Sequence, residues 1–238
     1  MSGHSHWAGI KHRKGINDAK RGKIFTKHGK LITIAACQGG GDPEMNFQLR
    51  LAIDRARLEN MPKENIERAV KRGTGELKDG AEIEEVIYEA YSADNVAMLI
   101  KTATDNKNRT FSELRTIFNR LGGKMVPSGS VGFLFRQVDA INITASEKDI
   151  SDFEMEAIEA GALDISHQEG VMTVFTKTEN FQAIKENLEK KGMKIESAGL
   201  IYLPLQKIDL NQNSRLNYEK LLEALDDQDD VDEVYDNL

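Results

Sequence analysis

One cysteine, four prolines and one tryptophan in 238 residues exclude several classes of protein at once. A lone Cys37 cannot form an internal disulfide and fits a reducing compartment. With 39% apolar and 30% charged residues, the chain has the composition of a soluble globular protein, not a disordered one. No window approaches the roughly eighteen consecutive apolar residues that a membrane span requires. The basic N-terminus has no apolar h-region and is not a secretory signal. Motif-like residues begin at Gly3, leaving no removable transit extension ahead of them, so a cytoplasmic protein is expected. Catalytic signatures are missing too. There is no GxSxG, no P-loop and no nucleotide-binding glycine fingerprint after a strand. No nucleophile, base and orienter can be grouped, so the expectation is a protein that is not an enzyme and takes no cofactor. His4, His6, His12 and Cys37 lack the close paired spacing of zinc ligands, and no metal is expected.

Charge, by contrast, is unevenly distributed. The first thirty residues hold Lys11, Arg13, Lys14, Lys20, Arg21, Lys23, Lys27 and Lys30 against the single acid Asp18, in a chain of net charge -7. Residues 1–75 carry 15 Lys and Arg against 7 acids; residues 76–238 carry 17 against 32. The overall pI of 5.4 taken alone would argue against a polyanionic partner. The asymmetry argues for one, met by the basic end while the remainder keeps the molecule soluble. Cations neutralise phosphates, and Trp7 and His12 among them supply rings that stack on exposed bases. The plainer alternative is a solvated charge run.

Along the chain, residues 16–38 show helical spacing through Ile24, His28, Leu31, Ile32 and Ala35, stopped by Gly39-Gly40-Gly41. Gly22 and Gly29 each weaken that helix by about 1 kcal/mol relative to alanine. Asp42-Pro43-Glu44 reads as the start of a second helix, carrying Leu49, Ile53 and Ala56. Asn60-Met61-Pro62 opens a third, with Ile66, Ala69 and Val70 inward and Gly73 as its left-handed cap. The period then changes. Strands are expected at Val86–Tyr91 and Val96–Ile100 around an Asp94-Asn95 turn, then a helix capped by Asn108, then a strand at Ser130–Phe135. Residues 138–205 follow the order βαββαβ, the ferredoxin-like split motif. It includes a near capping box at Ser146–Asp149, a hairpin turn at Glu169-Gly170 and a helix capped by Thr178. A last helix (Ser214–Leu225) and strand (Asp230–Tyr235) cannot form a domain alone, but they complete the unit left open at residue 137.

The expected fold is therefore α+β: an N-terminal three-helix basic bundle followed by two ferredoxin-like α/β domains, one inserted into the other. The expected divisions are a basic arm (1–20), the bundle (21–75), a split α/β domain (76–137 with 206–238) and the insertion (138–205).

Beyond the arm, Arg68, Lys71 and Arg72 extend the cationic surface or form ordinary helix surface with Glu64 and Glu67. Asp105-Asn106-Lys107-Asn108-Arg109-Thr110 reads as a tight strand-to-helix corner, with Asn106 and Arg109 as contact candidates. The candidate nucleic-acid-binding set is thus Trp7, Lys11, His12, Arg13, Lys14, Lys20, Arg21, Lys23, Lys27, Lys30, Arg68, Lys71, Arg72, Asn106 and Arg109.

Gly3–Lys14, Ala19–Lys27, Gly39–Pro43 and Asn60–Ala69 closely resemble the YebC/PmpR family. Asp105–Thr110, Gly129-Ser130-Val131 and Glu156–Gly161 extend the likeness over essentially the whole chain. His6, Gly9 and His28-Gly29-Lys30 depart from the family's usual pattern. The resemblance implies three domains and a role in gene expression, without catalysis. It implies either a ribosome-associated translation factor contacting ribosomal RNA, and possibly ribosomal proteins, or a DNA-binding transcriptional regulator. A protein-interaction or ligand-sensing scaffold is the alternative of another class. A monomer without membrane contact is expected.

Overall fold

The computed structural model describes residues 18–77, 81–144, 150–168 and 171–238. Among them the chain forms two compact units, residues 135–205 and residues 18–134 with 206–238. The capping box at 146–149 and the turn at 169–170 expected from the sequence lie outside the described residues.

The larger unit begins with three helices, α1 (Asp18–Gly39), α2 (Phe47–Leu58) and α3 (Lys63–Gly73). Their narrow apolar stripes meet in a core of Ile32, Ala35, Ala36, Leu49, Ile53, Ala56, Met61, Ile66 and Ala69. Small residues on α1 and α3 let the two backbones approach closely. Two local expectations are corrected here. Asp42-Pro43-Glu44 does not open α2 but forms a turn, in which the N–H of Asn46 donates to the Asp42 carbonyl at 2.8 Å. The cap is Asn46. Its Oδ1 accepts from the N–H of Leu49 at 3.1 Å, while its Nδ2 donates to the carbonyls of Ala35 (2.7 Å) and Gly40 (2.8 Å). One amide thus satisfies the end of α1 and the start of α2, which a carboxylate, having no N–H, could not do. Gly73, expected as a left-handed cap, is the last residue of α3, and the positive φ (76°) falls at Gly75. Gly73 is glycine for another reason: a Cβ there would sit 2.3 Å from the Thr33 carbonyl oxygen and 2.7 Å from Ala36 Cβ.

The rest of the larger unit is a sheet of β1 (Glu84–Tyr91), β2 (Ala97–Thr104), β3 (Lys124–Val126) and β8 (Val231–Asp236). Two helices, α4 (Lys107–Arg120) and α7 (Gln212–Asp226), pack on it. Its strand order is β3-β1-β2-β8 and every pairing is antiparallel. This is the ferredoxin-like arrangement with the usual third strand moved to the front of the sequence. In β2 every residue but Lys101 is buried, so the strand reads as an apolar run and not as an alternation. Lys101 sits 2.9 Å from Glu85 and within 4 Å of Asp232 and Glu233. Burial works to lower its pKa, but Glu233, Asp232 and Glu85 outweigh this and raise it.

Residues 130–135, expected as a strand, are corrected to a 3-10 turn (Gly132–Leu134) running into β4 (Phe135–Thr144). The cause is tertiary. The buried Glu89 carboxylate on β1 accepts the N–H groups of Gly129, Val131 and Gly132, taking donors a strand would have used.

The smaller unit runs β4, α5 (Ile150–Glu159), β5 (Asp164–Gln168), β6 (Val171–Thr176), α6 (Thr178–Lys190) and β7 (Lys194–Pro204). The order β5-β6-β4-β7 is the ferredoxin-like sheet expected from the sequence. Ile141, Ile143, Met172, Val174, Ile184 and Leu188 are buried in this unit. The residue preceding α6 is Lys177 and no side chain caps the helix, so Thr178 is its first residue and not its cap.

Candidate nucleic-acid interface

Lys23, Lys27 and Lys30 lie at i, i+4 and i+7 on α1, a spacing that aligns them on one helix face. The structure lays that face on the turn 226–230 that links α7 to β8. Lys23 Nζ donates to the carbonyl of Asp227 at 2.8 Å and lies 3.6 Å from the Asp229 carboxylate. Lys27 Nζ donates to the Asp226 carbonyl at 2.6 Å. Lys30 Nζ donates to the Asp229 carbonyl at 3.1 Å and pairs with the Asp230 carboxylate. The last carbonyls of a helix have no partners within it and carry partial negative charge, so lysines are favoured there. Three residues expected to bind nucleic acid therefore already hold partners within the chain.

Asp230 is the centre of this contact. It is 2% exposed, and Arg109 Nη2 reaches its two oxygens at 3.2 and 3.0 Å. Thr110 Oγ1 donates to it at 2.6 Å. Because an ionised carboxylate only accepts, the protons in the adjoining chain run one way. The N–H of Asn106 donates to Thr104 Oγ1 (2.9 Å), Thr104 to Thr110 (2.7 Å), and Thr110 to Asp230. Burial pushes the Asp230 carboxyl upward, but hydrogen bonds from Lys30, Thr110 and Arg109 outweigh it and hold the pKa down at about 2. Gln228 fixes the turn: its Oε1 accepts the N–H groups of Asp230 (2.6 Å) and Val231 (2.8 Å), and its Nε2 reaches Glu113 at 2.8 Å.

The sequence stretch 105–110 thus serves as the receiving side of a junction. Asn106, not Asn108, caps α4, its Oδ1 accepting the N–H of Arg109 at 3.1 Å. Arg109 also pairs with Asp105 at 2.9 Å, and its side chain remains 43% exposed.

The remaining candidates divide by place. Trp7, Lys11, His12, Arg13 and Lys14 lie outside the described residues, and of Lys20 only its place in α1 is described. Arg21 is exposed on the first turns of α1, and Arg68 and Lys71 are exposed on α3. Arg72 is half-buried and donates to the Ala81 carbonyl at 2.8 Å. The structure does not bring Arg68 and Lys71 to the junction that gathers Lys30 and Arg109. Further cations of the bundle are Arg50, Arg55 and Arg57 on α2; Arg50 lies 5.1 Å over the Phe47 ring and Arg57 pairs with Asp54. Their signal was in the sequence, as a +8 balance spread over residues 1–75 and not over the arm alone. Among the described residues, no group of His, Cys, Asp and Glu could hold a metal ion, and no helix is long and apolar enough to cross a membrane.

Family models divide the chain at the end of the bundle. The TACO1/YebC protein N-terminal domain matches residues 5–76, and the TACO1/YebC second and third domain matches residues 83–238. The chain belongs to the TACO1/YebC family. A probable transcriptional regulatory protein of Caldanaerobacter subterraneus subsp. tengcongensis is 49% identical over 239 residues, covering 100% of this chain and 98% of the relative. One from Thermotoga maritima is 48% identical, covering 100% and 93%. The crystal structure of a conserved hypothetical protein from Aquifex aeolicus superposes with a TM-score of 0.85 at 44% identity, over 98% of this chain and 96% of that one. For the TACO1/YebC family, then, the fold seen here is shared by a solved relative, with its two antiparallel sheets.

Proposed function

We propose that this TACO1/YebC chain is a non-enzymatic, nucleic-acid-binding regulator of gene expression that works in the cytoplasm as a monomer. The finer reading is a ribosome-associated translation factor whose basic N-terminal region contacts ribosomal RNA, with ribosomal proteins as secondary partners. The observation that supports it is the placement of charge. Cations are exposed on α1 (Arg21) and α3 (Arg68, Lys71), in a segment that opposes the sign of the rest of the chain. In this reading the basic residues ahead of α1 serve as the arm, the bundle as the binding platform, and the acidic α/β domains as the body of the protein. Glycines in the arm and first helix, with Trp7 and His12 among the cations, suit irregular folded RNA, where bases are splayed for stacking.

A second reading is a DNA-binding transcriptional regulator using the same cations, favoured by the names of the relatives from Caldanaerobacter and Thermotoga. One experiment separates the two: co-sedimentation with ribosomes and binding to duplex DNA, each across a salt series. Both are repeated with Lys11, Arg13, Lys14, Lys20 and Arg21 changed to alanine. Saturable ribosome binding that the variant loses is the expected outcome, with affinity falling steeply as salt rises. Sequence-selective duplex binding at physiological salt, without ribosome association, would replace the first reading with the second.

A further inference from the structure

The oxygens that meet the lysine face of α1 resemble, in the sign of their charge, what a nucleic acid would bring to it. Within five residues the turn 226–230 presents the carbonyls of Asp226, Asp227 and Asp229 and the carboxylates of Asp229 and Asp230 to Lys23, Lys27 and Lys30. That is a run of anionic and carbonyl oxygens along one backbone, gripping three ammonium groups in a row. A phosphate backbone offers a run of anionic oxygens, acceptors of another chemical kind, to the same cations. The two cannot occupy that face together, because the turn covers it. We propose that the Asp226–Asp230 turn is an intramolecular competitor, a latch that keeps the lysine face of α1 closed until a single-stranded RNA backbone displaces it. This inference rests on the nucleic-acid reading above and adds a regulated step to it.

The latch is graded along its length. At the outer end Lys23 and Asp229 are each 51% exposed, and such pairs contribute between nothing and about 1 kcal/mol, less as salt rises. At the inner end Lys30 and Asp230 are 12% and 2% exposed, and Asp230 is tied to Arg109 and Thr110 as well. A competing polyanion would therefore enter at Lys23, the end that continues in sequence into Arg21 and Lys20. It would then work inward toward the firm contact. Opening of the outer end leaves the Asp230 junction intact, so displacement does not require the unit to unfold.

The test uses the full chain and a single-stranded polyuridine RNA. A zero-length carbodiimide reagent couples amines to carboxylates in contact, and mass spectrometry of the digest reads which pairs were joined. In the free protein, coupling is expected at the exposed Lys23–Asp229 pair and not at Lys30–Asp230, whose carboxylate is too buried for the reagent to activate. As RNA is added the Lys23–Asp229 product disappears. The double variant Asp227→Asn, Asp229→Asn removes the carboxylate that faces Lys23 (Asp229) and a neighbouring negative charge (Asp227, whose carbonyl still accepts from Lys23), and is expected to bind the RNA about fivefold more tightly. A control with the same charge change on α6, Glu179→Gln with Glu186→Gln, leaves affinity unchanged. The latch is overturned if Lys23–Asp229 coupling persists at saturating RNA, or if the control tightens binding as much as the double variant, since net charge alone would then explain the gain. RNA binding by the double variant when the wild type binds weakly or not at all supports the latch. Failure of both to bind RNA, ribosomes or duplex removes the underlying functional reading together with it.

Discussion

A carboxylate that is 2% exposed has lost its hydration, and only fixed partners can replace it. Asp230 is held by the Lys30 ammonium, the Arg109 guanidinium and the Thr110 hydroxyl, with the Gln228 amide nitrogen and the Thr104 hydroxyl oxygen each at 3.5 Å. Against the upward push of burial, Lys30, Thr110 and Arg109 take its pKa from an ordinary 3.8 down to about 2. The unfolded chain binds this proton more readily than the folded one. The stabilisation is therefore complete above the unfolded pKa and is lost as pH falls through the folded value. A depression of this size corresponds to on the order of 2 kcal/mol. Urea unfolding followed from roughly pH 6 down to pH 2 should show the wild type losing about that much more stability than Asp230→Asn, which has no carboxyl to titrate. Parallel pH profiles for the two proteins would mean that the junction does not depend on this charge. At pH 6 the variant should be the less stable of the two, because it leaves the buried end of Lys30 without its counter-charge.

Helix packing supplies the second prediction. α1 and α3 approach where Gly73 faces Thr33 and Ala36, and a methyl group at 73 would lie 2.3 Å from a carbonyl oxygen. The obstacle is backbone, so relief requires the helices to separate. Gly73→Ala should cost roughly 3 kcal/mol despite alanine's better helix propensity, read as a lowered urea midpoint at unchanged m-value. An unchanged midpoint would show that α3 can shift freely against α1. The same element shows what was legible in advance. The three stripes Ile32/Ala35, Leu49/Ile53/Ala56 and Ile66/Ala69 could be read from spacing, since core burial follows helical period. The role of Gly73 could not, because it depends on the Thr33 backbone, about forty residues away. The same reason hid β3, whose three residues are too few to alternate, and turned Val131–Leu134 into a turn once Glu89 claimed its N–H groups. For the candidate site, the cations were readable one by one. That Lys23, Lys27 and Lys30 face Asp226–Asp230 was not, since the partners lie some two hundred residues apart in sequence.

At the scale of the whole chain, two compact units imply two reporters. The larger unit is built on Met98, Ile100, Leu114, Phe118, Tyr218 and Leu222, together with the bundle core. The smaller one buries Ile141, Ile143, Met172, Val174 and Ile184. Multidomain chains need not unfold in a single step, and amide hydrogen exchange resolves openings that a bulk melt merges. Ile141 is fully buried on β4, and Ile141→Ala should remove 2 to 5 kcal/mol, a loss expected in roughly that range for a methyl-rich core side chain. Its effect should fall on amides of β4, β6 and β7, while protection in β1, β2 and β8 stays as in the wild type. Gly73→Ala should do the reverse, lowering protection in α1 and α3 and sparing β4 and β6. If either substitution lowers protection in both sheets alike, the two units unfold as one, and the chain's insertion of residues 135–205 into its host has become a single cooperative structure. Selective loss would instead mean that the basic bundle and its acidic turn can open and close while the inserted sheet remains folded, a requirement of any latch carried on the larger unit.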